Sequence, residues 1–300
     1  MKAKGGNRQL RIALIGLCTV AIVLGFTTGS IMAQDDTLSH EEYLKKEAEK
    51  QQPPHKRPHT AELPTGGHSN LAEAATNPIA NLVQFQVQNA YSWKNHNSSG
   101  YSNVLTVQPV IPFKLPWERV PLLVTRTTLP YVRTPDLGAP IGRKDGFGDT
   151  NLLMLALPKL KTKGMQLGLG FNSVIPTAGD NEFTGSGKWQ AGPSVIYINM
   201  RTPKLQWGMF AYQLWSVGSG SGGSGRPDVS RLSLQPFITK HFDGGWFVGS
   251  PDTPQTYDFE SNKWTWALGA QAGRVQKFGK QPVKWFAEVL YNPEDNNGPT

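Results

Sequence analysis

Thiols are all but missing from these 300 residues: the one cysteine is Cys18, inside an apolar run near the start. Beyond that run the chain can build no disulfide, no thiolate metal site and no cysteine nucleophile. Charge is scarce too, at 17% of residues, where a globular chain carries about a quarter. After residue 33 there is no apolar run of the roughly 20 residues that a spanning helix needs. Blocks of Lys and Arg interleaved with aromatics are also missing, so no nucleic-acid surface is expected.

Sequences that resemble catalytic motifs fail on inspection. The GFGDTN stretch from Gly146 lacks the third glycine of a dinucleotide loop and opens a strand pattern. The GSGK of Gly185–Lys188 is followed by Trp189, where a phosphate loop needs Ser or Thr, and position 182 is Glu rather than Gly. The GSGSGGSG run of Gly218–Gly225 holds no G-x-S-x-G nucleophile elbow. His241 and Asp243 have no serine at a spacing that completes a triad. The reading is therefore a protein that is not an enzyme, with no cofactor and no metal. His55, His59 and His68 are read as solvated linker histidines.

What is present is turn-forming and aromatic: 32 Gly, 23 Pro and 9 Trp. The first 33 residues have a basic start, an apolar run from Ile12 to Phe26 and a small-residue exit at Ala33, the form of a secretory signal peptide. Lys2, Lys4, Arg8 and Arg11 account for four charges of the net +8. Residues 34–77 are polar and rich in Pro and Gly, which predicts a flexible periplasmic leader, with a short helix from Ser39 through Lys50.

From residue 78 a period of two takes over. In LVQFQVQNAYSW (82–93), Val83, Phe85, Val87, Tyr91 and Trp93 alternate with Gln84, Gln86, Gln88 and Ser92. Ten further candidate strands follow: 101–113, 119–131, 147–158, 164–176, 188–200, 206–217, 228–242, 244–250, 262–276 and 282–292. Most are near the 9–11 residues, roughly, of a tilted spanning strand. The connections alternate in length. Short ones at 114–118, 159–163, 201–205, 243 and 277–281 separate long ones at 94–100, 132–146, 177–187, 218–227 and 251–261. Outer-membrane barrels sort their loops this way, with short periplasmic turns and long external loops. Trp93, Tyr101, Trp189, Trp215, Trp264 and Trp266 fall near the long loops, and Trp117, Trp207, Trp246 and Trp285 near the short turns, as two interfacial girdles require.

The predicted fold is an all-β, antiparallel up-and-down transmembrane β-barrel of about 12 strands, domain 78–300. Eleven strands are visible. An even number calls for a closing strand beyond the loop-like NPEDNNGPT end, so truncation of the C-terminus is one reading of the odd count. The polar face supplies the candidate lumen residues: Gln84, Gln86, Gln88, Gln108, Arg126, Lys188, Gln190, Gln213, Arg231, Gln235, Lys263, Lys284 and Glu288. Thr106, Gln166, Asn172, Ser194, Ser233, Thr239 and Gln271 share that face. Five cations against Asp149 and Glu288 predict a mildly basic, amide-rich interior with an anion preference. The strands carrying Arg126 and Asp149 alternate least cleanly, so their facing is open, and charges pairing across the interior would plug it.

The segments GFGDTNLLMLALP and VIPTAGDNEFTGSGKWQAGPSVIYI carry a family resemblance. The features are GFGD at Gly146–Asp149, the strand end Pro176–Gly179, GKW from Gly187 and Gly192-Pro193 on the next strand. Over about residues 78–292 the chain resembles the outer-membrane proteins grouped under the MetA pathway of phenol degradation, also labelled transporters. The resemblance implies a Gram-negative outer-membrane barrel for uptake of small, aromatic compounds. The expected function is passive uptake of small solutes, aromatic or anionic. Its partners are outer-membrane lipid and the solute, and a homo-oligomer is compatible with it. Two alternatives stand beside it: a structural or adhesin-like barrel whose loops bind partners, and a soluble secreted β-sandwich.

Overall fold

A computed structural model describes residues 15–21, 68–95, 98–179, 182–278 and 281–293. The helix expected at 39–50 and most of the signal segment lie outside them. The described elements are β1 (Ile15–Ala21), α1 (His68–Thr76), β2 (Gln84–Ser92), β3 (Ser102–Lys114), β4 (Leu122–Arg133), β5 (Asp145–Phe147), β6 (Thr150–Leu157), β7 (Met165–Ile175) and β8 (Lys188–Asn199). They continue with β9 (Leu205–Ser219), β10 (Ser230–His241), β11 (Trp246–Gly249), β12 (Gln255–Asp258), β13 (Lys263–Thr265), β14 (Leu268–Phe278) and β15 (Gln281–Tyr291). All strands belong to one sheet in the order β1-β15-β14-β11-β10-β9-β8-β7-β6-β4-β3-β2.

Every pairing in the sheet is antiparallel, and each long strand pairs with its sequence neighbour, so the sheet is up-and-down. That arrangement puts all the short turns at one end and all the long loops at the other. The hydrogen-bonded path does not close, but its two end strands, β1 and β2, lie side by side. The place next to β15, expected to need a strand from beyond the C-terminal loop, is taken by Ile15–Ala21, within the predicted signal peptide. A single continuous sheet is not the pair of sheets a sandwich requires.

One stave departs from expectation. Residues 251–261 read as a long loop, and 244–250 as a weak strand. Instead β11 and β12 lie in line along β10. Gly249 faces Thr239 and Gln255 faces Leu234, so six steps along one strand match five along the other. The surplus residue bends Ser250–Pro254 out of the ladder, as a bulge does. On the other side, β13 and β14 form a matching interrupted strand. There Gln255 replaces a backbone partner, donating to Ala267 O at 2.9 Å and accepting from Ala267 N at 2.6 Å. The turn before β11 is a tight one at Asp243–Gly245, where Gly244 and Gly245 take φ of 72° and 83°. Lys204 Nζ lies 2.7 Å from Asp243 Oδ1 and holds that carboxyl below its usual range, chiefly through the hydrogen bond.

Both faces of the sheet carry large apolar side chains. Outward, Leu169 and Val195 are 50 and 40% exposed at mid-strand, and Ile238 and Val248 are 52 and 48% exposed towards the short-turn end. Inward, Val110, Val124, Leu153, Leu155, Ile196, Ile198 and Phe210 form a buried cluster. This explains why TNLLMLAL in β6 does not alternate: Leu153, Leu155 and Leu157 point in and are buried, while the residues between them are also apolar. Seven of the nine tryptophans (Trp93, Trp117, Trp189, Trp207, Trp215, Trp246 and Trp285) are exposed, six of them towards strand ends, while Trp285, expected near a short turn, lies midway along β15. Neighbouring rings join them at both rims. Tyr197 meets Trp207 edge-on at 5.8 Å at the short-turn end, and Tyr91 stacks on Tyr101 at 5.0 Å at the other.

The GFGD segment has a local task. The Asp149 carboxylate accepts from Ser186 N at 2.6 Å, Ser186 Oγ at 2.8 Å and Ala178 N at 3.2 Å, tying down both ends of the 177–187 loop. A Cβ on Gly185 would fall 2.5 Å from Asp149 Oδ1, so glycine is what allows this approach. Replacing Asp149 by Ala removes charge-assisted bonds worth about 1–2 kcal/mol in sum at this half-exposed site. The expected outcome is faster amide exchange and earlier proteolysis within 177–187, with the sheet unchanged.

Candidate functional site

The interior of the sheet at its short-turn end is filled by the segment that precedes β2. Where a flexible leader was expected through residue 77, α1 packs Ala72 and Ala75 against Phe247, Val275 and Phe286. Ala72 and Ala75 are 0 and 3% exposed, and small residues on this face are what let the helix approach the wall. Asn77 ends the helix by accepting from Ile79 N at 3.0 Å, an Asx turn that redirects the chain. Ile79, 1% exposed, then enters the apolar cluster of the sheet interior.

Polar anchors hold this plug to several strands. The Thr76 hydroxyl sits 3.1 Å from Gln206 Oε1 and 3.3 Å from His241 Nε2. Asn77 Nδ2 donates to Gln166 Oε1 at 2.8 Å. Glu73 Oε1 accepts from Lys204 N at 3.2 Å. Thr76, Asn77 and Ile79 are residues of the sheet interior that sequence reasoning missed. The only sign of them was the change from polar leader to strand pattern at Pro78.

Above the plug lies a cavity of mixed lining. Val110, Val124, Leu153, Leu155, Ile196, Phe210, Phe237 and Phe247 are its apolar side chains; Gln84, Gln86, Arg126, Gln235, Asp252, Gln271 and Lys284 stand among them. The space in it open to the centre of a water is about 60 Å³, room for a few waters. Of the expected interior glutamines, Gln84, Gln86 and Gln235 line it, and Gln86 donates to Gln84 Oε1 at 2.8 Å; Gln108, opposite Gln86, donates to Thr128 Oγ1 at 3.0 Å outside the lining. Gln88 faces Thr106 one rung further from the plug. Arg126, whose facing was open, points in, with its guanidinium 5.7 Å over the Phe210 ring. Lys284 lies over Phe286 at 4.4 Å and Phe247 at 5.3 Å.

The bend at Ser250–Pro254 contributes to the same wall. Asp252 N and Thr253 Oγ1 donate to the two oxygens of Glu288, at 2.7 and 3.1 Å, and Gln235 donates to Asp252 Oδ1 at 2.8 Å. Both oxygens of buried Glu288 are thus engaged, and where a solute contact was expected its carboxylate fixes this bend. Asp252 went unnoticed because 251–261 read as external loop.

Other expected lumen residues lie elsewhere. Gln213 is half-exposed on the outer face: it sits opposite Leu232, while its buried neighbour Leu214 points in. Its amide sits in a row otherwise made of Trp207, Met209 and Trp215, so polarity pointed the wrong way where parity did not. Lys263 stands exposed on the β12–β13 hairpin, beyond the sheet interior. Lys188 is buried against Asp228 at 3.1 Å near the long-loop rim, and Gln190 donates to Ser186 Oγ at 2.9 Å. Arg231 pairs with Asp258 at 3.4 Å, half-exposed. Asp149 serves the loop and not the lumen. Of the five cations expected inside, Arg126 and Lys284 reach the cavity. Among the described residues no cluster of three His, Cys, Asp or Glu is placed to hold a metal. Comparison of the chain with protein-family models, curated proteins and solved structures finds no match.

Proposed function

We propose that this chain is an outer-membrane channel for passive uptake of small solutes, held shut at its periplasmic mouth by residues 68–80. The observation that carries the reading is the outward apolar face, bounded at both strand ends by exposed tryptophans. In water, some of the outward positions that hold Leu169, Val195 and Ile238 would carry polar residues. In a bilayer these side chains meet hydrocarbon, and the indole rings sit at the headgroup level. With that face in lipid, the buried amides and cations lie in an interior cut off from it, where a solute can meet them.

The short turns then face the periplasm, with the leader, and the long loops face outward. The same reading agrees with the resemblance of the GFGD and Pro176–Gly179 segments to the outer-membrane family of the phenol-degradation MetA pathway. Export by residues 1–33 would remove Ile15–Ala21 and leave the edge of β15 to another strand. An interior in which Arg126 and Lys284 stand among apolar side chains suits a small solute with an apolar body and an anionic or polar end. Refolded into planar bilayers, the protein is expected to give discrete, mostly closed current steps. A bilayer that stays silent at every potential, with the protein demonstrably inserted, would overturn the channel reading.

A further inference from the structure

At the long-loop rim two cations meet on one aromatic ring. The guanidinium carbon of Arg143 lies 4.3 Å from the centre of the Tyr101 ring, and that of Arg133 lies 5.8 Å from the same centre. The two charges are therefore at most about 10 Å apart. Tyr91 stacks on Tyr101 at 5.0 Å and meets Trp93 edge-on at 5.8 Å, so the ring that gathers the cations belongs to the aromatic rim.

Register and loop contacts bring them together. Tyr91 is opposite Asn103, and Asn103 is opposite Arg133. On these strands Gln84, Val110 and Val124 point in, so parity turns all three residues of that rung outward. Arg143 arrives from the loop 134–144. Thr134 N donates to Lys144 O at 2.8 Å and Lys144 N to Thr134 Oγ1 at 2.9 Å, which closes the base of that loop. Asp136 N donates to Ser99 O at 2.8 Å and docks it on the loop before β3. A Cβ on Gly100 would lie 3.0 Å from Arg143 Nη2, so glycine keeps the approach to Tyr101 open.

The neighbouring acids are engaged elsewhere. Asp145, opposite Arg133, accepts from Tyr131 Oη at 2.5 Å, and Asp136 Oδ1 accepts from Gly138 N at 2.9 Å. Among the described residues neither arginine forms an ion pair with a carboxylate. Two exposed guanidiniums gathered on one ring call for an anion with several oxygens, and arginine grips phosphate through paired hydrogen bonds. The surface beside them selects the kind of phosphate. On the same outward rows, towards mid-sheet, Leu105, Leu129 and Tyr131 are exposed, and Phe147 stands exposed opposite Tyr131. A free anion gains nothing from that surface, whereas the acyl chains of a lipid would cover it.

We infer that Arg133, Arg143 and Tyr101 form a headgroup site for a lipid bearing a phosphate monoester, with its acyl chains along Leu105 and Leu129. Cations just above an apolar band stand at the depth of headgroup phosphates. The inference rests on the membrane reading of the outward face and is independent of whether the interior conducts.

The test uses the full chain in uncharged maltoside micelles, offered equal amounts of dioleoyl phosphatidic acid and dioleoyl phosphatidylcholine. Native mass spectrometry counts the lipid retained. Phosphatidic acid is expected to be kept with a roughly tenfold preference. The double variant Arg133→Gln/Arg143→Gln should abolish the preference, and Tyr101→Leu, which leaves both charges but releases Arg143, should reduce it several-fold. Lys161→Gln, an exposed cation at the short-turn end, should leave it unchanged. Equal retention of the two lipids, or a preference indifferent to the double variant, would overturn the site. Displacement of phosphatidic acid by an equal concentration of inorganic phosphate would reveal a site for the free anion and overturn the lipid assignment. The effect of Leu169→Arg in a bilayer separates this inference from the reading beneath it. A costly Leu169→Arg without any preference for phosphatidic acid removes the site alone, and a harmless one removes the membrane face on which the site depends.

Discussion

The double variant Thr76→Ala/Asn77→Ala should convert a mostly closed pore into a mostly open one. These two side chains tie the plug to Gln206, His241 and Gln166 on three different strands. Each buried hydrogen bond contributes about 1 kcal/mol net, so losing them costs the closed state about 2–3 kcal/mol. That corresponds to roughly a 30- to 150-fold shift toward the undocked state. The helix itself should persist, because its apolar contacts through Ala72 and Ala75 are untouched. Single-channel open probability is the direct measure. Deleting residues 68–80 should go further and leave the pore permanently open at a higher conductance. If both variants conduct as the parent does, the segment is not the obstruction and current passes by another route.

Leu169→Arg should destabilise the folded protein by about 2–4 kcal/mol in a lipid bilayer, the cost of a cation near the midplane of a barrel's outer face. Leu169 stands in the middle of β7, half-exposed, opposite Val195 of β8. Its neighbours on that face are apolar, so no partner awaits the guanidinium. In a water-soluble protein the same exposed substitution would lie within about 0.5 kcal/mol of neutral. Urea titration of vesicle-refolded protein measures the difference. A null effect would place this face in water and defeat the membrane assignment, whatever the interior does.

The contrast between Gln84 and Gln213 shows how far pattern reading reaches. Gln84 lies in a strand that alternates without interruption, and its inward facing follows from parity alone. Gln213 lies in a strand that alternates as regularly, but there parity and polarity disagree: Gln206, Phe210 and Leu214 point in, so this amide shares the outward row of Trp207, Met209 and Trp215. The 250–258 stretch teaches the same lesson. Two prolines and a polar composition read as loop, yet the backbone resumes its strand along β10 after an inward bend. Lys188, Arg231 and Lys263 were legible as polar-face cations. Asp228, which pairs with Lys188, comes from the 220–229 loop, and Asp258, which pairs with Arg231, from the end of β12, so neither pairing could be read locally.

What the sequence alone determined is what repeats over two to thirteen residues: the strands, their apolar outer face, the sorting of loops by length and the tryptophans at strand ends. Side-chain direction in a strand is a property of neighbours i and i+2, so it survives without knowledge of the rest of the chain. Only the tertiary structure decided what fills the interior. Ile79 reaching Val110 and Leu153, Asp252 capping Glu288, and Gln84 sharing a rung with Arg126 all depend on register between strands far apart in sequence. A shift of one residue in that register would turn each of these side chains to the opposite face.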